Sequence, residues 1–362
     1  MNKENTDNSK DSHILVYNQR PQWLDILKAL AMIGVILVHF NNIWPSPINI
    51  LSKLNSVGAK CPQLFFIISA YLTWTALEKN GINWKIFYIK RFIRIVPLFY
   101  IAIILNSIVP RFKIPDISLW NWLSHIFFFN GINPLWANTI MGIEWYIADL
   151  AIFYMITPLL WKIADNLKHS IFILCCSVIL SSLTLVIYNR FMTSENLVIQ
   201  MYFDTFFFLH QLPVIMMGIT LYHMIKKIND KYIYIWKYLL ISGITIIFIT
   251  ILFIIMHLDK RFLTNSFIAG LLFSWLFLFT WFIRFFFEKK IFKPLSFIGV
   301  HSFGIYCFHQ LIINCALAVI IQRKVCIWVM TLSMIILLSI LIGYLMESIQ
   351  ELLIKSFSQK RL

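Results

Sequence analysis

The stretch LDILKALAMIGVILVHFNN, residues 24–42, is apolar enough to cross a bilayer, yet it carries a lysine at 28 and a histidine at 39. In a helix rising about 1.5 Å per residue, the interval from Lys28 to His39 is roughly 16 Å, about half of a hydrocarbon core ~30 Å thick. With Lys28 at the cytoplasmic edge, His39 lies near the midplane. An ionisable group at that depth is costly and is by default a functional residue, the bland alternative being a neutral histidine hydrogen-bonded to a neighbouring helix.

Composition carries the same reading to the whole chain. Of 362 residues, 60% are hydrophobic, only 13% are charged and 33 are Phe, a balance foreign to water-soluble domains. Runs long enough to span fall near 22–44, 62–78, 91–109, 143–164, 168–188, 206–225, 236–257, 263–286, 297–321 and 326–350. The expected fold is therefore an all-α integral membrane protein of about ten transmembrane helices. Residues 1–20 are expected to form a disordered cytoplasmic head without a cleavable signal, 21–350 the transmembrane domain, and 351–362 a cytoplasmic tail. Residues 118–131 (SLWNWLSHIFFFNG) are short for a span and contain Asn121 and His125, which suits an interfacial or re-entrant piece.

Charge bias orients the helices. With the N-terminus inside, 22 of the 31 basic residues fall on inner segments and nine on outer loops, so both termini are expected in the cytoplasm. Topology and anionic inner-leaflet lipid then account for the net charge of +15 without a nucleic-acid partner. The six cysteines are scattered, with no metal-ligand spacing and no disulfide framework; only Cys61 and Cys326 are placed to meet outside. No tandem repeat, glycine-rich phosphate loop or zinc signature is found.

Further polar residues sit in or beside the spans. In KRFIRIVPLFY, Arg91 and Arg94 lie one helical turn apart at the inner end of the third span. They can point together at a phosphate-bearing ligand; ordinary positive-inside anchoring is the commoner explanation of such a pair read alone. Counting twelve residues from the inner edge of the ninth span near Phe297 reaches His309 at nearly the depth of His39, which suggests a shared polar cavity. The fourth span, EWYIADLAIFYMITP, puts Glu144 at its outer boundary and Asp149 deeper, and each carboxylate should have a partner or water. His210 is weaker, because a histidine near an outer helix end can reach the interface.

In this order, LDILKALAMIGVILVHF, FFIISAYLTW, KRFIRIVPLFY, WYIADLAIFYMITP and FIGVHSFGIYCFHQ resemble the acyltransferase 3 family of integral-membrane acyltransferases, from about residue 20 to residue 315. The basic residue, ten positions, then histidine pattern at Lys28 and His39, together with the Arg91 and Arg94 pair, carries the resemblance. It implies transfer of an acyl group, most often acetyl from acetyl-CoA, to a hydroxyl of a surface carbohydrate such as O-antigen, capsule or exopolysaccharide. The site is then a bacterial inner membrane. Acyl-CoA is the donor substrate with no permanently bound cofactor and no metal, and the partners are a carbohydrate acceptor, membrane lipid and polysaccharide assembly proteins.

Under the resemblance His39 matches the essential histidine, Lys28 its basic partner, Arg91 and Arg94 the pair linked to acyl-CoA, and His309 the ninth-span histidine. Asp25, Ser69, Glu144, Trp145, Asp149 and Tyr154 are the supporting or substrate-facing positions. Two departures stand out: the family's Trp, four residues, then Glu pattern puts Leu150 where Glu belongs, with Asp149 one earlier, and the usual Ser-Gly of the second span reads Ser69-Ala70.

Burial would keep a histidine neutral and able to take the proton of an attacking hydroxyl, making His39 a general base; a covalent acyl-histidine relay is the competing version. An extended phosphopantetheine arm of about 15–20 Å matches the ~16 Å rise from Lys28 to His39. After residue 350 only twelve residues remain, so a standalone form is expected, one that acylates its acceptor directly or hands the group to a partner. A transporter using midplane His and Asp residues, or a scaffold without chemistry, would share the hydropathy, but no inverted repeat or pair of Gly/Pro-broken spans is visible.

Overall fold

The computed structural model describes residues 21–48, 57–108, 118–192, 194–228, 265–319 and 325–359. The expected head 1–20, the expected span 236–257 and the side chain of Cys326 lie outside them. Within them the helices are α1 (Gln22–Ile43), α2 (Cys61–Asn80), α3 (Trp84–Ile108), α4 (Leu119–Ile126), α5 (Trp145–Ile163), α6 (Leu167–Phe191), α7 (Leu197–Met201), α8 (Phe208–Lys227), α9 (Asn265–Phe282), α10 (Arg284–Phe287), α11 (Lys293–Val300), α12 (Ser302–Val319) and α13 (Val325–Gln359). A π turn, Tyr202–Phe206, joins α7 to α8.

Among the described residues, seven helical segments are long and apolar enough to cross a membrane, or eight if the bent pair 290–300 and 302–316 is one span. The chain is thus an all-α, multi-pass membrane protein. The other nine expected spans each overlap a helix among the described residues, although α2, with Gln63 and Glu78 near its ends, falls short in apolarity.

Patterning explains the layers. α1 is apolar around most of its circumference, and accordingly it is largely buried, against α2, α11 and α12, with Leu30 and Ile43 left exposed. α8 is wedged between α2, α6 and α9. By contrast α6 and α13 turn most of their surface outward, with Phe172, Ile179, Leu183, Met330 and Leu337 exposed as lipid-facing side chains. Only a helix can satisfy its own backbone at such positions.

Two expectations are refined. Helix α4, with eight residues, reaches about 12 Å and cannot span. Its amphipathicity is inside out for a water-soluble helix: Asn121, Ser124 and His125 are buried while Leu119, Trp120 and Phe127 just beyond it are exposed. That suits a piece lying between a polar protein interior and lipid.

The ninth span is not the straight helix 297–321 assumed when depth was counted from Phe297. α11 and α12 meet at His301 with a bend of 66°. α11 lies against α1 so closely that a methyl added at Gly299 would sit 1.7 Å from the Asp25 carbonyl oxygen, which only glycine avoids.

Candidate active site

Five helices meet around a small cleft. α1 contributes Lys28, α2 Ser69, α3 Arg91 and Arg94, α5 Tyr146 and Tyr154, and α12 Ser302, Phe303 and Tyr306. Its volume is about 70 Å³, enough for a few waters or a narrow chain. Three cations line it, and its lining residues include no carboxylate. The lining therefore carries basic and no acidic side chains in an apolar surround, a setting that favours an anionic ligand.

Two of the cations are visibly held in place. Lys28 Nζ donates to Asp25 Oδ1 at 2.9 Å, one turn back on α1, and both side chains are buried. Arg91 donates to Thr73 Oγ1 at 3.0 Å and stacks its guanidinium over Tyr154, 4.6 Å from the ring centroid, and over Phe87 at 5.3 Å. Asp25 and Tyr154 thus act through the basic residues: one fixes the ammonium, the other is a platform for the arginine. Ser69, on the cleft wall, lies beside the Tyr146 hydroxyl.

The two histidines do meet. The rings of His39 and His309 lie 5.3 Å apart, centroid to centroid, at 55°. The depth count that paired them ran through the bend at His301, so the agreement comes from packing of α12 on α1 and not from the ruler. His309 is fully buried, and its Nδ1 lies 2.7 Å from the Tyr306 carbonyl oxygen. A carbonyl only accepts, so the Nδ1 carries the hydrogen and Nε2 is left as a lone pair; Nε2 has no hydrogen-bond partner among the described residues.

Tyr306 links the histidines to the cleft. It lines the cleft, its ring is 5.7 Å from that of His309, and its hydroxyl donates to the Ile143 carbonyl at 2.5 Å. A further ring, Tyr146, lies 5.2 Å from it. Neither tyrosine was singled out from the sequence, although Tyr306 precedes His309 by three residues and so shares its helix face, a signal that was available.

Of the remaining candidates, Glu144, Trp145 and Asp149 lie at the N-terminal part of α5 and His210 on α8. Glu144 is fully buried and accepts from the backbone N–H groups of Ile140, Met141 and Ile143 at 2.6, 2.7 and 2.7 Å, with His125 Nε2 at 3.5 Å from Oε1. It shapes the loop whose Ile143 carbonyl receives Tyr306. Trp145 stacks on Phe206, with centroids 5.0 Å apart, and its backbone N–H donates to Asn138. Asp149 departs from the expectation that each carboxylate finds a partner. It is fully buried, neither oxygen has a hydrogen-bond partner among the described residues, and the residue facing it is Gly131, which has no side chain to offer. His210 does not reach the interface either: it is buried, 3.0 Å from Thr184 Oγ1.

Residues 22–345 match the model of the acyltransferase 3 family, described as an acyltransferase domain. The O-acetyltransferase OatA of Staphylococcus aureus is 26% identical over 344 residues, covering 84% of this chain and 53% of that protein. The peptidoglycan O-acetyltransferase OatA of Listeria monocytogenes is 35% identical over 99 residues, 26% of this chain and 14% of that protein. A regulator of hypoxia-inducible factor 1 from Caenorhabditis elegans is 24% identical over 197 residues, 45% of this chain and 38% of that protein. The chain spans at most about half the length of these relatives. No solved structure matches it.

Proposed function

The chain belongs to the acyltransferase 3 family, and from that premise we propose that it is a membrane O-acyltransferase moving acetyl from acetyl-CoA to a hydroxyl of a cell-surface polysaccharide or its lipid-linked precursor. The observation that carries this is one continuous wall: a carboxylate-free cleft with Lys28, Arg91 and Arg94 at one end, continued by Tyr306 to a histidine pair. Relatives named as O-acetyltransferases support the same chemistry.

In this reading Arg91, Arg94 and Lys28 bind the phosphates of the donor, and the pantetheine arm follows the cleft toward the histidines. His39 is the general base. The acceptor oxygen attacks the thioester carbonyl carbon, its proton passes to His39, the carbon–sulfur bond breaks, and the leaving thiolate takes up a proton to give CoA. His309, with its hydrogen committed to the Tyr306 carbonyl, packs its ring against His39 and so positions it. A polysaccharide outside and a donor inside place the protein in a bacterial cytoplasmic membrane.

The test is His39→Ala in purified protein in lipid nanodiscs, supplied with acetyl-CoA and isolated cell-envelope polysaccharide. Acceptor-dependent release of CoA thiol should fall by about 10²–10⁴-fold, the usual worth of a general base. Equal release by the variant and the wild type would sink the assignment. Acetate signals in NMR spectra of the surface polysaccharide, lost in a deletion strain and not restored by His39→Ala, would identify the acceptor.

A further inference from the structure

The start of α12 has no cap of its own. His301 stands at the position where Ser, Thr, Asp or Asn would accept a hydrogen bond from the first turn of the helix, and its Nδ1 is engaged elsewhere. The missing acceptor comes from the C-terminal helix. Glu347 Oε1 accepts from the Gly304 backbone N–H at 2.7 Å, and its Oε2 lies 2.7 Å from His301 Nδ1. One carboxylate therefore holds both the residue at the 66° bend and the first turn of α12, and its charge suits a helix N-terminus.

The approach is built for this contact. A methyl added at Gly304 would lie 2.5 Å from the Gly343 carbonyl oxygen, and one at Gly343 would lie 2.6 Å from Ile305 N, so the two backbones touch only because both residues are glycine. Tyr344 packs its ring 5.0 Å from His301 and 5.3 Å from Phe297, bracing the bend from the α11 side. One helical turn beyond Glu347, the Gln350 side chain donates to the Ile93 carbonyl, which lies between Arg91 and Arg94 on α3. The same face of α13 thus grips the helix of the histidine and the helix of the arginines.

We propose that Glu347 is a positioning residue for acyl transfer: from α13 it caps α12 across the bend and so aims Tyr306 and His309 at His39, while Gln350 registers the arginine helix to the same frame. Glu347 touches no substrate. It acts through α12, whose residues 302 and 303 form the cleft wall and whose residue 309 meets His39. The inference rests on the reading that His39 and His309 are the reacting pair.

Purified protein in nanodiscs, with acetyl-CoA and isolated cell-envelope polysaccharide, gives kcat and the KM for acetyl-CoA. Glu347→Ala should lower kcat at least tenfold with KM within twofold and the melting temperature within about 4 °C, whereas Glu347→Gln, which keeps an oxygen for Gly304, should stay within threefold of wild type. Gln350→Ala should do the opposite, raising KM about threefold with kcat nearly unchanged. Should Glu347→Ala fail to accumulate, His301→Phe decides, since it keeps the ring packing and removes Nδ1; its expected fall in kcat is three- to tenfold. Wild-type kcat in Glu347→Ala or, in its place, in His301→Phe overturns the inference, as does a parallel rise in KM, which would mean general loosening. An inactive His39→Ala beside a fully active Glu347→Ala refutes the positioning role alone; a His39→Ala protein that still transfers acetyl removes the reading beneath it as well.

Discussion

Charged groups packed near the N-terminal half of α5 are buried in opposite ways. Lys28, Arg91 and Arg94 border a cleft whose lining, Tyr146 and Tyr154 of α5 included, holds no carboxylate; just before the helix, Glu144 spends its oxygens on three backbone N–H groups in a loop beside His125. Both sets are costly to bury, and burial alone would mark both as functional. What separates them is that the carboxylate is enclosed by its own loop, whereas the cations border a cavity. A carboxylate saturated by its own loop has a structural task, whereas converging cations around an empty space favour an anion.

Substitutions can break that contrast. The largest effect is expected for Arg91→Ala combined with Arg94→Ala, which should raise the KM for acetyl-CoA by about 100-fold or more. Each charge-assisted contact is worth roughly 1.5–3 kcal/mol, and tenfold is about 1.4 kcal/mol. Initial-rate kinetics in nanodiscs measure it, and an unchanged KM would make the arginines mere anchors. Glu144→Gln should leave that KM alone and lower stability by about 1–3 kcal/mol, because an amide cannot accept from all three N–H groups with both ends. Thermal unfolding of the purified variant reads this, and a KM effect without a stability effect would move Glu144 into the donor site. Smallest is Tyr154→Leu, which removes the guanidinium platform and should raise the acetyl-CoA KM about two- to fivefold, for about 0.5–1 kcal/mol of cation–π attraction.

Much of the fold was legible because hydrocarbon is an undemanding solvent to read against: a run of about twenty apolar residues must be helical and must be buried or face lipid. The interior break at His301 was not legible. Its acceptor, Glu347, lies 46 residues away and reaches Gly304 and His301 only after α13 has packed on α12. No local pattern announces such a cap. The pairing of His39 with His309 was anticipated from a depth count through a helix that turns out to bend, so residue identity was the sound part of that reading and the geometry was supplied by packing.

Site chemistry divides along the same line. Residue type and spacing on one helix made Lys28, His39, Arg91 and Arg94 visible, since i, i+3 partners and eleven-residue depths are set by helix geometry alone. The tasks of Glu144, Asp149, Tyr154 and Tyr306 depend on groups brought from other segments. Glu144 meets its own preceding loop, Tyr154 meets Arg91, and Asp149 meets Gly131 and finds no donor among the described residues.

By itself, then, the sequence determined a multi-pass helical chain with a basic and histidine-bearing first span, because hydrophobic length and helical rise are local properties. Only the tertiary structure decided which polar groups are satisfied, where the ninth span breaks, and that three cations share a cleft without a carboxylate in its lining. Hydrogen-bond saturation and charge balance are properties of neighbours in space, and those neighbours come from five separate helices.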